Sequence, residues 1–142
     1  AQDFAKYHPG GALGKRLYLK VGDLYPTHEF PAIAHTASIQ EAIHEISSKR
    51  LGATAVLDAQ GELAGIITDG DVRRTLENSK DWSKIALADM MNRAPKTIDA
   101  EAFATEALAL MQSKNITQLV VTANKKAVGF VHLHDLLKEG IV

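Results

Sequence analysis

The chain contains no cysteine. That excludes disulfides, thiolate nucleophiles and cysteine-based metal sites, and it fits a reducing, cytoplasmic setting. Net charge is also nearly absent: 16 Lys+Arg against 17 Asp+Glu leave −1 at pH 7. Such a balance supplies no basic footprint for nucleic acid or for an anionic membrane surface, so neither is expected as a partner. No apolar run approaches the roughly 18 residues of a membrane-spanning helix. The first residues also lack the basic-then-apolar order of a secretory signal.

What remains is ordinary for a soluble globular protein: 142 residues, 46% hydrophobic and 23% charged, enough for one or two small domains. One stretch organises the rest, Gly65-Ile66-Ile67-Thr68-Asp69-Gly70-Asp71-Val72. Two β-branched residues after a glycine suit a buried strand. Asp69-Gly70 supplies a turn, and Thr68 with Asp71 stand three apart, as the two ends of a capping box do. A strand feeding a helix N-terminus presents unpaired N–H groups that suit a phosphate. A carboxylate beside them can accept hydrogen bonds from a ribose diol. One turn thus offers a hydroxyl, N–H donors and a carboxylate, the parts of a nucleotide clasp. Taken alone, a capping box more often only caps a helix.

The turn recurs 64 positions later as Gly129-Phe130-Val131-His132-Leu133-His134-Asp135-Leu136, with Asp135 in the place of Asp71 and His132 in the place of Thr68. Upstream, Val21-Gly22-Asp23-Leu24-Tyr25-Pro26 is answered by Leu87-Ala88-Asp89-Met90-Met91. A helix is predicted to start at Ser38, with Ser38 and Glu41 as its capping box and Ile39, Ala42, Ile43 and Ile46 on one face. Ala104, Ala107, Leu108 and Met111 repeat that face. Strands follow at 54–57 and 63–67 around a turn at 58–62, and again at 118–121 and 127–131 around a turn at 123–126. Each repeat reads strand, helix, strand, strand, helix. The expected fold is α/β (α+β), two βαββα repeats with pseudo-two-fold symmetry and a cleft between the halves into which the Asp71 and Asp135 turns open. The expected boundaries are a lead segment at 1–20, a first repeat at 21–80 and a second at 85–142. The joint lies near Ser79 to Lys84, where the only tryptophan, Trp82, sits.

This layout resembles a tandem pair of cystathionine β-synthase (CBS) domains, the module that senses adenosyl nucleotides in many enzymes and transporters. The shared signature is glycine, two apolar residues, threonine, two free positions and aspartate. Gly65, Ile66, Ile67, Thr68 and Asp71 match it in full. Gly129, Phe130, Val131 and Asp135 match in the second copy, where His132 departs from threonine. In such modules backbone groups entering the second strand meet the base, so the resemblance adds Gly52, Ala53 and Thr54 to the ligand-binding candidates Thr68, Asp71, His132, His134 and Asp135. Phe4-Ala5 and His8-Pro9-Gly10-Gly11-Ala12-Leu13-Gly14-Lys15 are similar to the end of the sugar-isomerase domain in bacterial arabinose 5-phosphate isomerases, where that domain precedes a CBS pair. The resemblance implies that residues 1–20 are the tail of that domain. It also implies that His8 is catalytic only within the full-length parent, which converts ribulose 5-phosphate to arabinose 5-phosphate for the sugar acid of lipopolysaccharide.

The remaining candidates are weaker. His132 and His134 stand two apart but have no third ligand at familiar spacing, so no metal site is expected. Arg73 and Arg74 open the helix after Asp71 and suit either a phosphate or sugar carboxylate or a solvated face. Two functions are weighed. In one, the module senses a nucleotide, either an adenine nucleotide or a cytidylyl-activated sugar acid, requires no cofactor, and regulates its own isomerase domain. In the other, it is a binding-silent element that forms a homodimer and helps the parent form a homotetramer. No nucleophile–base pair is visible, so catalysis by the fragment alone is not expected.

Overall fold

The first long helix starts where the sequence places its cap. In the computed structural model, which describes residues 17–27, 29–79 and 81–141, the Ser38 hydroxyl accepts the Glu41 N–H at 3.1 Å and the Glu41 carboxylate accepts the Ser38 N–H at 3.2 Å. Helix α1 (Ile39–Lys49) buries Ile39, Ala42 and Ile46 and ends at Arg50, whose φ of 60° turns the chain left-handed. Strands β1 (Ala32–Ala34), β2 (Ala53–Leu57) and β3 (Leu63–Thr68) form a sheet in that order. β1 runs parallel to β2, which needs the crossover that α1 provides, and β3 runs antiparallel after a short turn. Asp58 shapes that turn by accepting the N–H groups of Gln60 and Glu62, both at 2.9 Å. Helix α2 (Asp69–Glu77) follows directly.

The second copy uses the same order. After the short helix α3 (Leu87–Met90) come β4 (Thr97–Asp99), α4 (Ala104–Lys114), β5 (Gln118–Ala123), β6 (Lys126–His132) and α5 (Leu133–Lys138). Helix α4 begins at Phe103 without a side-chain cap, although the Glu106 carboxylate still accepts the Phe103 N–H at 3.2 Å. Its hairpin is tighter than the expected turn at 123–126. Ala123 and Lys126 pair, and Asn124 and Lys125 turn with φ of 54° and 69°. Positive φ at both central residues is the geometry of a two-residue turn matched to strand twist. The α/β organisation in two βαββα repeats is as expected.

The compact units divide the chain differently from the repeats. One spans His28–Lys96, and the other joins Thr97–Val142 to the segment ending at Thr27. In the first, Leu87 and Met90 complete a core of Ile39, Ile46, Val56, Ile67 and Val72. Asn92 there pairs with Ile66 through reciprocal main-chain bonds of 2.8 and 3.0 Å. In the second, Val21 and Leu24 pack with Ala107, Met111, Leu119 and Leu136. The Val21 and Gly22 N–H groups donate to the Ala102 and Ala100 carbonyls at 2.9 and 2.7 Å. The segment that leads into each repeat in sequence therefore packs within the unit built on the other repeat's sheet. His8 and the rest of 1–16 lie outside the described residues.

Candidate functional site

β3 delivers Thr68 to the mouth of α2 in extended conformation, φ −107° and ψ 166°. Its hydroxyl accepts the Asp71 N–H at 3.2 Å and donates to Asp71 Oδ2 at 3.0 Å. Its own N–H donates to the same Oδ2 at 2.9 Å. These bonds spend one carboxylate oxygen on the turn itself. The other, Oδ1, receives Arg74 Nη2 at 2.7 Å. The i, i+3 spacing on one helix face brings the two side chains together.

The Gly52 carbonyl accepts the Asp69 N–H at 3.0 Å, which ties the entry to β2 to the same helix mouth. Gly52 holds φ at +74°, a conformation that side chains rarely adopt. Ala53 pairs with Thr68, and Thr54 with Ile67. Gly52, Ala53, Thr68 and Asp71 thus converge on one spot. Thr54 is fully buried, with its hydroxyl donating to the Ala55 carbonyl at 3.1 Å, so its side chain belongs to the interior. With Asp69 N–H and Asp71 N–H engaged, the Gly70 N–H has no protein acceptor among the described residues. An outward N–H at a helix start suits an anion, while a carboxylate suits a diol.

In the other unit His132 caps α5, but differently. Its Nδ1 accepts the His134 N–H at 3.0 Å, so a neutral ring carries its proton on Nε2. The His132 N–H donates to Asp135 Oδ2 at 2.7 Å. The two imidazoles stack with centroids 4.7 Å apart and planes 14° from parallel. Face-to-face rings are not arranged to chelate one ion, and among the described residues no group of three or more potential metal ligands gathers. Asp135 is buried. The structure thus brings His132, His134 and Asp135 together in one unit and Thr68, Asp71, Gly52 and Ala53 together in the other.

Two contacts escape the sequence. Arg73 edges a groove of about 510 Å³ between α1 and α2, together with Asp69 and over Ile43, Ile46, Val72 and Leu76. Arg74 is the arginine at the carboxylate, and its i, i+3 spacing from Asp71 was the available signal. The equivalent glycines Gly65 and Gly129 mark close approaches. A Cβ at Gly65 would stand 2.7 Å from the Asn92 oxygen, and one at Gly129 would stand 2.6 Å from the Tyr25 ring.

A βαββα unit repeated twice, each sheet leading directly into a capped helix, defines the class of tandem-repeat α/β modules. The chain belongs to the CBS domain family, whose model matches residues 21–78 and 87–141. The whole chain is also 41% identical over 143 residues to the arabinose 5-phosphate isomerase KdsD of Escherichia coli. It is 44% identical over 144 residues to the enzyme of the same name from Pseudomonas aeruginosa. It spans only 44% of the length of each of these relatives. Among solved structures it resembles a CBS domain protein of Pyrobaculum aerophilum complexed with AMP. The TM-score there is 0.75 at 21% identity, over 83% of this chain and 90% of that one.

Proposed function

We propose that the chain is the ligand-sensing module of an arabinose 5-phosphate isomerase, and that a nucleotide-type molecule binds at the Thr68–Asp71 turn. The parent enzyme interconverts ribulose 5-phosphate and arabinose 5-phosphate in the cytoplasm. It feeds sugar-acid synthesis for lipopolysaccharide and relays occupancy of the module to its isomerase domain. Support for the enzyme comes from similarity along the whole chain to KdsD isomerases. Support for a ligand comes from the complete signature in the first repeat and from the AMP held by a structural neighbour. The observation that carries the reading is the Asp71 carboxylate, fixed by Thr68 at the mouth of the helix. Adenine nucleotides and a cytidylyl-activated sugar acid both present a ribose diol beside an anionic group. No cofactor is required. Regulation then follows from the ligand favouring one arrangement of the parent over another.

Thermal melting with AMP, CMP and a cytidylyl sugar acid tests this directly. A ligand at about a hundred times its dissociation constant adds roughly 2.7 kcal/mol of stability, a shift of several degrees for a domain of this size. No shift with any of the three at millimolar concentration contradicts the reading.

A second reading, assembly, rests on a different observation. Equivalent apolar grooves run between the helices of both units. Ile43, Ile46, Val72 and Leu76 line one, and Leu108, Met111, Ile116 and Leu137 line the other. A second copy of the module covering these grooves gives a homodimer, and the parent a homotetramer. Sedimentation of the chain and of Leu76→Glu tests it: dimer for the first and monomer for the second support assembly, whereas monomer for both contradicts it.

A further inference from the structure

Asp71 has one oxygen to offer a ribose, and it is already taken. Oδ2 accepts two bonds from Thr68, so a diol must approach Oδ1. Oδ1 is held at 2.7 Å by the guanidinium of Arg74, a side chain that is 63% exposed and therefore able to swing away. That guanidinium also lies over the helix start: a Cβ added to Gly70 would meet Arg74 Nη1 at 3.1 Å. The cation therefore stands beside Gly70, the residue between the two turn carboxylates. The same turn carries two carboxylates, Asp69 and Asp71, which repel any anion drawn to the helix start. Arg74 is the basic side chain paired within the turn that offsets them.

We infer that Arg74 is a charge latch that selects nucleotides over nucleosides at this site. The inference rests on the nucleotide-sensing reading above. A neutral nucleoside that reaches for Oδ1 displaces the guanidinium and gives it nothing in return. A nucleotide brings an anionic group to the Gly70 N–H, and the guanidinium moves onto it as the ribose takes over Oδ1. Arginine suits this exchange because its fork binds carboxylate and phosphate with the same geometry. The residue determines specificity through which partner it holds, and it leaves the cap formed by Thr68 intact.

The test compares affinities of AMP with adenosine and of CMP with cytidine, by calorimetry, for the 142-residue chain, Arg74→Gln and Arg74→Lys. Because Arg74 is exposed, both variants keep the fold, and matching melting curves verify it. For Arg74→Gln the monophosphates weaken about 10-fold or more, the loss of one charge-assisted bond. The nucleosides hold their affinity or tighten by up to about 5-fold, the release of one exposed ion pair. Arg74→Lys keeps the charge without the fork and recovers part of the monophosphate affinity. The inference is overturned if Arg74→Gln weakens AMP and adenosine by the same factor, or leaves the AMP-to-adenosine ratio unchanged. If the unaltered chain binds none of the four probes, the latch falls, and the nucleotide reading falls with it when the cytidylyl sugar acid also leaves the melting temperature unchanged.

Discussion

At Thr68 a single hydroxyl oxygen accepts the Asp71 N–H and donates to the Asp71 carboxylate at once, whereas at the equivalent His132 the ring Nδ1 accepts the His134 N–H. The Thr68 hydroxyl closes the cap on the third helical residue and orients the carboxylate. At His132 the ring accepts from the second helical residue, and the main-chain N–H donates to the Asp135 carboxylate at 2.7 Å. Thr68→Ala should lower stability by about 0.5–2 kcal/mol, the usual cost of losing an N-cap. Urea unfolding measures it, and no change would show that the cap is dispensable. A second residue-level effect concerns pH. Hydrogen bonding to Glu101, then the Glu101 charge, raises the Lys20 ammonium above the ordinary lysine value of 10.5. A raised lysine contributes stability fully below 10.5 and loses it as pH rises through the higher folded value. Melting temperature against pH should therefore fall less steeply above pH 10.5 in Lys20→Met than in the unaltered chain. Identical alkaline limbs would contradict this.

Among the elements, the strands that end in the signature turns are held by glycines that admit a neighbour. Gly65 accommodates the main chain of Asn92 and the Met91 sulfur, and Gly129 accommodates the Tyr25 ring. Overpacking such a contact costs about 1–3 kcal/mol. Gly65→Ala should show the full loss, because a main-chain oxygen cannot step aside. Gly129→Ala should be partly rescued by Tyr25→Ala, because there the obstacle is a side chain. A double-mutant cycle by denaturant unfolding checks the coupling; strict additivity would mean that Tyr25 and Gly129 act independently. Here the sequence was informative only up to a point. Helical spacing at Ile39, Ala42 and Ile46 and the Ser38–Glu41 cap announced α1, and β-branched runs announced β2 and β3. The glycine repeated before two apolar residues announced only a buried strand, not the close approach that it admits. What approaches was illegible, because Tyr25 and Met91 are distant in sequence or placed by a turn that local pattern does not encode.

For the molecule as a whole, the 64-residue echo in the sequence disclosed a duplicated module, yet each compact unit takes its lead segment from elsewhere in the chain. Residues 85–96 complete the unit built on the first sheet, and the segment ending at Thr27 completes the other. A fragment of 28–96 should therefore melt cooperatively, while a fragment of 17–84, cut at the repeat boundary, should not. It would expose the Val21 and Leu24 faces and lack Leu87 and Met90. Calorimetric melting of the two fragments decides this, and equal cooperativity would mean that the lead segments contribute little. The site divides in the same way. Thr68 and Asp71 were legible because a cap is local, whereas the Arg74 pairing and the burial of Thr54 depend on side-chain placement.

The central claim is that the Asp71 carboxylate holds the sugar of a phosphorylated ligand. Paired calorimetric titration of the unaltered chain and Asp71→Ala with whichever nucleotide raises the melting temperature tests it most directly. Loss of a hydrogen bond to a charged group, about 1.5–3 kcal/mol, predicts an affinity about 10- to 150-fold weaker in the variant. Equal affinity in two folded proteins would contradict the claim.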